Sequence, residues 1–216
     1  MTYSLEEYNC PLCKLAKGTL FHQEKRNYYR CPNCEFVFVP QHQFLSSSEE
    51  KAVYDQHENS PDDQRYREFL SRLMIPMQEL LPPNSNGLDF GSGPGPTLSV
   101  MFEELGHQME IYDPFYAPEN NYSAKHYDFI STSEVVEHLH EPREELDRLW
   151  ACLNPNGILG IMTKRVVPES FATWHYIRDP THVSFFSLNT FQWLAKHWQA
   201  ELMVPGSDVV IFRKNV

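Results

Sequence analysis

The sequence predicts an α/β fold: a mostly parallel sheet covered by helices, finished by a C-terminal antiparallel hairpin strand and preceded by a small metal-binding ribbon. Three observations carry this. Strand-like and helix-like segments alternate from residue 87 onward, two cysteine pairs crowd the first 34 residues, and a glycine-rich turn, "LDFGSGPGP" (residues 88–96), joins an apolar strand to a helix. With 216 residues, 41% of them hydrophobic, the chain can bury one substantial core and carry a small additional unit.

The ribbon comes first. "CPLC" (Cys10, Cys13) and "CPNC" (Cys31, Cys34) give C-x2-C-x17-C-x2-C, a spacing that lets two knuckles present four thiolates to one tetrahedral zinc ion. The intervening "KLAKGTLFHQEKRNYYR" has a glycine turn and paired tyrosines suited to a hairpin. Residues 1–45 therefore read as a zinc ribbon, the ion helping to fold a segment with little core of its own. The fifth cysteine, Cys152, lies in an apolar helical stretch and reads as a core residue.

Residues 46–59 turn polar and read as a linker with a short helix begun by the serines at 46–48. The main unit is expected over residues 60–216. Its first helix shows in Phe69, Leu70, Leu73, Met74, Met77, Leu80 and Leu81, the spacing of one apolar face, with Pro76 expected to kink it. Then follow "GLDF", "PTLSVMFEELG", "QMEIYD", "YDFISTS", "REELDRLWACL" and "GILGIMT", the rhythm of parallel strands with crossover helices. A last helix around "LNTFQWLAKHW" leads into "AELMV", the turn "PGS" and "DVVIFRK", the hairpin that sets an antiparallel strand in the sheet.

Charge narrows the function. The net charge of −11 repels phosphate backbones on average, which makes nucleic acid an unlikely partner. No basic segment followed by an apolar run opens the chain and no stretch approaches a membrane span, so a soluble cytoplasmic protein is expected. Nothing in the sequence speaks to oligomeric state.

The glycine turn sits at the carboxyl end of the first parallel strand, where open α/β sheets bind ligands. Gly91, Gly93 and Gly95 let backbone approach a ligand closely or take positive φ, and Pro96 suits the first turn of the next helix. A dinucleotide fingerprint would need glycine where Pro96 stands. Asp89 points to a ligand with a positive end, such as the ammonium of a methionine moiety. Asp113, closing "EIYD", is placed to accept from the two hydroxyls of a ribose.

Together "LDFGSGPG", "IYDP", "YDFISTSEVVEHL" and "LNPNGILGIMT" resemble the ordered motifs of class I S-adenosylmethionine-dependent methyltransferases, across residue 60 to the C-terminal hairpin. The resemblance implies a Rossmann-like sheet and S-adenosylmethionine as cofactor. It places Asp89, Gly91 and Gly93 around the methionine part, Asp113 on the ribose, and Ser133 and Glu134 beside the bound cofactor. It also suggests Tyr54, His57 or Asn59 as a cover. The family's third strand should fall between Asp113 and Asp128, where only "PFYAPENNYSAKHY" is available, so a shortened sheet is expected, with Phe115 or Tyr116 as candidates to stack on adenine.

Methyl transfer from a sulfonium needs an acceptor held in line, and some acceptors also need a proton removed. Two clusters offer the groups. "EVVEHLHEP" brings Glu134, Glu137 and His138 to the end of the fourth strand; "WHYIRDPTHVSFFS" brings His175 and His182 to the loop after the fifth. His182, His175, Glu137 and His138 are thus the candidate catalytic residues, weighed against helix-start carboxylates and histidines that merely pack. A small-molecule acceptor is expected. The alternatives are an RNA or protein methyltransferase docking through the ribbon, where "KRNYYR" is a short basic stripe, a non-catalytic binding protein on the same fold, and, more distantly, a dehydrogenase.

Overall fold

The computed structural model describes residues 8–56 and 59–215. The N-terminal part runs β1 (Tyr8–Asn9), β2 (Lys17–Gln23), β3 (Asn27–Arg30) and β4 (Val37–Phe38), followed by α1 (Ser47–Tyr54) and α2 (Gln64–Gln78). Local chemistry sets both helix starts. Ser46 and Glu49 form a reciprocal capping box at α1, and the Asp63 carboxylate accepts from the Arg65 and Tyr66 amides at α2. Leu70, Leu73 and Met77 are the buried face of α2, as the periodicity requires, and Pro76 falls within its last turn.

The main unit continues β5 (Asn86–Phe90), α3 (Thr97–Glu104), β6 (Gln108–Tyr112), β7 (Tyr127–Ser133), α4 (Pro142–Ala151), β8 (Leu153–Met162), β9 (Ser184–Phe185), α5 (Leu188–Trp198), β10 (Glu201–Met203) and β11 (Val209–Arg213). Six strands form one sheet in the order β10-β11-β8-β7-β5-β6. β6, β5, β7 and β8 pair in parallel, while β11 inserts antiparallel between β8 and β10, the hairpin read from the sequence. The shortened sheet is also found. Between Asp113 and Asp128 there is an isolated bridge to Ala117 and one 3-10 turn, Tyr122–Ala124. The edge this leaves at β6 is covered by Asn120, whose amide donates to the Ile111 carbonyl at 3.0 Å.

A second sheet, β1-β2-β3-β4-β9, is antiparallel, and its last member comes from the C-terminal half of the chain. Val37 pairs with Phe185 and Phe38 with Ser184. The ribbon is therefore continuous with the main unit through backbone hydrogen bonds. Packing follows suit: Phe36 is fully buried against Phe186, centroids 4.9 Å apart, and Phe171 packs on both Phe21 and Tyr28. The α2 and α3 face of the large sheet has its own core, with Leu73, Phe102 and Phe129. Cys152 is buried beside the Tyr122 carbonyl, a core residue as expected. Among the described residues no helix is long and apolar enough to cross a membrane.

Candidate functional site

The glycine turn leaves β5 at the carboxyl end of the parallel strands. The Gly91 and Ser92 amides donate to the Tyr112 carbonyl at 2.8 and 3.2 Å, and the Gly93 amide donates to the Asp113 carboxylate at 2.9 Å. The glycines answer different needs. A Cβ on Gly91 would stand 2.4 Å from Val135 Cγ2, and one on Gly95 2.1 Å from the Asn59 carbonyl oxygen. Gly93, at φ +63°, would meet nothing within 4 Å. Among the three glycines of the turn it alone combines left-handed backbone with open space, the condition for a ligand resting on main chain.

Asp113 is buried, and its carboxylate ties the turn together: Oδ2 takes the Gly93 amide, Oδ1 those of Phe115 and Tyr116 at 2.8 and 3.1 Å. A carboxylate offers about four acceptor sites, so Oδ2 keeps capacity for a hydroxyl donor. Asp89 lies beneath the turn, accepting from Ser131 Oγ at 3.1 Å; burial pushes its carboxyl up to about 7. Tyr116 donates to Asp55 at 2.6 Å, and Phe115 packs on Tyr54, so both aromatics lie on α1. Tyr54 covers His138 with an edge-to-face contact at 5.3 Å, and Asn59 passes over Gly95. His57 lies outside the described residues.

Ser133 ends β7, and Glu134 follows it at φ +52°, a left-handed conformation that costs a non-glycine residue about 1–2 kcal/mol. That backbone swings the chain so that Val135 abuts the glycine turn and Glu137 enters the interior. Glu137 has no exposed surface. Thr163 Oγ1 donates to one of its oxygens at 2.9 Å and the Tyr176 hydroxyl to the other. Burial, then the nearby Glu134 charge, pushes the Glu137 carboxyl up to about 8, while burial raises Glu134 to about 6. The Val183 amide donates to the Glu137 carbonyl at 2.9 Å, which brings the 175–185 segment onto the same cluster.

His138 and His182 stand edge to face at 4.7 Å. His138 Nδ1 faces the Thr181 carbonyl at 3.3 Å and His182 Nδ1 the Tyr176 carbonyl at 2.8 Å. Burial lowers the His182 pKa. The structure thus gathers Glu137, His138 and His182, while His175 is exposed and reaches Lys164 at 3.0 Å, apart from them.

Thr163 and Arg26, which hydrogen-bond to Glu137 and to the loop carrying His182, are positions that sequence reading missed. Thr163 is a polar residue ending an apolar strand, which is a readable signal. Arg26 lies in "KRNYYR", read as a basic stripe, yet its guanidinium donates to the carbonyls of Ile177, Asp179 and Pro180, and Arg30 pairs with Glu35 at 2.7 Å. In the ribbon, Cys10, Cys13, Cys31 and Cys34 are buried free thiols, with the Cys10–Cys34 sulfurs 3.7 Å and the Cys13–Cys31 sulfurs 3.5 Å apart. Zinc–sulfur bonds of about 2.3 Å in a tetrahedron put sulfurs about 3.8 Å apart, so the four fit such an ion.

A family model described as a methyltransferase domain matches residues 57–203. The 1,6-didemethyltoxoflavin-N1-methyltransferase of Burkholderia thailandensis, solved with 1,6-didemethyltoxoflavin and S-adenosylhomocysteine bound, aligns with a TM-score of 0.52 at 15% identity, over 86% of this chain and 98% of that one. An S-adenosylmethionine-dependent methyltransferase of Methanosarcina mazei gives 0.49 at 14% identity over 65% and 97%, and a TehB-like one of Corynebacterium glutamicum 0.44 at 16% over 78% and 95%. No curated protein matches the chain. The matched domain spans most of the chain and takes in the glycine turn, Asp113, the Glu134–His138 segment and His182. By that match and by its sheet, the chain belongs to the methyltransferase-domain family and is a class I S-adenosylmethionine-dependent methyltransferase.

Proposed function

We propose that the protein methylates a small-molecule acceptor held between the glycine turn and the Glu137–His138–His182 cluster, with a structural zinc ion on the four cysteines keeping one wall of that space in place. The observation that carries this reading is adjacency: Val135, beside Gly91, joins the ligand turn to the cluster within a few residues. Gly93 offers bare backbone to the cofactor, Asp113 an acceptor for a ribose hydroxyl, and Asp89 a carboxylate for the methionine ammonium.

When bound, S-adenosylmethionine would supply an electrophilic methyl on a sulfonium sulfur, which would keep the bonding pair as the leaving group. The chain's own part is to hold the acceptor in line and dry. Tyr54 and Tyr176 flank the cluster and exclude water from it. A small acceptor accords with the net charge of −11 and with the internal engagement of Arg26 and Arg30, which leaves Lys25 as the exposed cation of the basic stripe an RNA-docking ribbon would present. The fold hosts small-molecule methylation in the Burkholderia thailandensis enzyme.

The test is calorimetry of S-adenosylmethionine on the wild type and Gly93→Val, then S-adenosylhomocysteine release across small hydroxyl, amine and carbon acceptors. Binding lost in the variant, and turnover with at least one acceptor class, is expected. Full affinity in Gly93→Val rejects the cofactor site, and turnover on RNA or protein alone rejects the acceptor class.

A further inference from the structure

We propose that Glu137, His138 and His182 form a second metal site, separate from the cysteines, that takes a divalent transition-metal ion. The site itself rests on these residues alone; its use in catalysis rests on the function proposed above. One ligating atom from each residue lies within 4.8 Å of the other two, Glu137 and His182 buried and His138 half-buried. Ligands about 2.0–2.2 Å from a shared ion stand within about 4.4 Å of one another, so a small side-chain adjustment closes the shell.

Three further features fit an ion better than packing alone. First, each imidazole aims Nδ1 at a backbone carbonyl, Thr181 for His138 and Tyr176 for His182. A carbonyl accepts only from N–H, so the proton sits on Nδ1 and the lone pair on Nε2, the tautomer that metal-ligating histidines are held in. Second, Glu137 is wholly buried with no Lys or Arg paired to it among the described residues, and its neighbour Glu134 carries the same charge. At full burial Glu137 must either hold a proton or meet a cation, and a divalent ion would supply that counter-charge. Third, both Glu137 oxygens are already oriented, by Thr163 at 2.9 Å and by Tyr176, as ligating carboxylates are.

Two imidazoles and a carboxylate are a borderline donor set, suited to zinc, iron or manganese rather than to calcium. Three protein ligands leave a position open for water or for an acceptor oxygen, which would lose its proton more readily there. Asp179, whose carboxylate is 3.8 Å from His182 Nε2, stands close enough to orient that water.

The experiment titrates manganese(II) chloride alone into the full, zinc-loaded chain and reads free manganese by electron paramagnetic resonance; thiolates bind manganese poorly, so the cysteine site does not compete. One manganese per chain is expected. His182→Ala and Glu137→Gln should weaken it by at least tenfold, and Thr163→Val, which keeps all three ligands, by about tenfold through lost orientation. His175→Ala should bind like the wild type. No uptake by the wild type up to millimolar metal, or equal uptake by wild type and His182→Ala, overturns the site. Should His182→Ala fail to fold, undiminished binding by Thr163→Val overturns it instead. S-adenosylmethionine calorimetry on the same samples separates the two readings: manganese uptake without cofactor binding supports the metal site and rejects the cofactor site proposed above.

Discussion

The guanidinium of Arg26, in the turn between β2 and β3, donates to the carbonyl oxygen of Asp179 at 2.7 Å, across 153 positions of sequence. The same group takes the Pro180 carbonyl at 2.7 Å and that of Ile177 at 3.0 Å. Three carbonyls of the loop that carries His182 are thus gathered on one cation from the ribbon. The Val39 amide adds a bond to the Val183 carbonyl at 2.9 Å, continuing the β4–β9 pairing. The ribbon is thus tied by side chain and backbone to the loop that carries His182.

Arg26→Ala should therefore act at a distance. Hydrogen bonds to a charged group contribute about 1.5–3 kcal/mol, so a loss of about 2 kcal/mol in urea unfolding is expected. S-adenosylmethionine affinity, if set at the glycine turn as proposed, should stay within a few-fold while turnover falls. Unchanged turnover in the folded variant would show that the 177–180 loop holds itself.

Elemental analysis of protein purified without added metal should find about one zinc per chain, the closed shell of four thiolates. Cys31→Ser should release it. Because β4 pairs with β9 and Phe36 packs on Phe186, the melting temperature of the whole chain should fall in one transition, where a free appendage would melt separately. Metal-free protein with a Cys10–Cys13 disulfide would reject the zinc site.

The glycines separate ligand from packing. Gly95→Ala sets a methyl 2.1 Å from the Asn59 carbonyl oxygen and should cost stability, about 1–3 kcal/mol of overpacking. A Cβ at Gly93 meets no protein atom within 4 Å, so Gly93→Val should fold with little beyond the left-handed penalty of about 1–2 kcal/mol, yet bind no S-adenosylmethionine. Thermal shift with and without cofactor reads both.

If Asp89 holds the ligand ammonium as proposed, stability and binding should depend on pH in opposite senses. Its carboxyl rises from 3.8 to about 7 on folding, through burial, with Ser131, Asp113 and Tyr66 as its polar and charged neighbours. Across that window the folded chain holds a proton that the unfolded chain has released, so stability falls as pH rises, by up to about 4 kcal/mol from this group. Asp89→Asn should remove that part of the slope. A ligand ammonium favours the ionised form, so wild-type affinity for S-adenosylmethionine should climb as pH rises through 7, and the variant's should not. Parallel pH profiles for the two proteins would exclude Asp89 from the binding site.

The sequence by itself determined the elements and the place of the glycine turn. Apolar periodicity marked α2, the alternation of strand and helix marked the parallel sheet, and a span of fourteen residues too short for a strand and its crossover marked the missing third strand. Glycine spacing and cysteine spacing are local, so Gly91, Gly93 and the four thiols were legible. What only the tertiary structure decided is which distant groups meet: β9 completing the ribbon's sheet, Arg26 on the Asp179 carbonyl, Thr163 and Tyr176 orienting Glu137, and His182 rather than His175 joining His138. The physical reason is that a buried polar group must find its partner wherever the packed chain provides one, and such partners leave no period or spacing along the sequence.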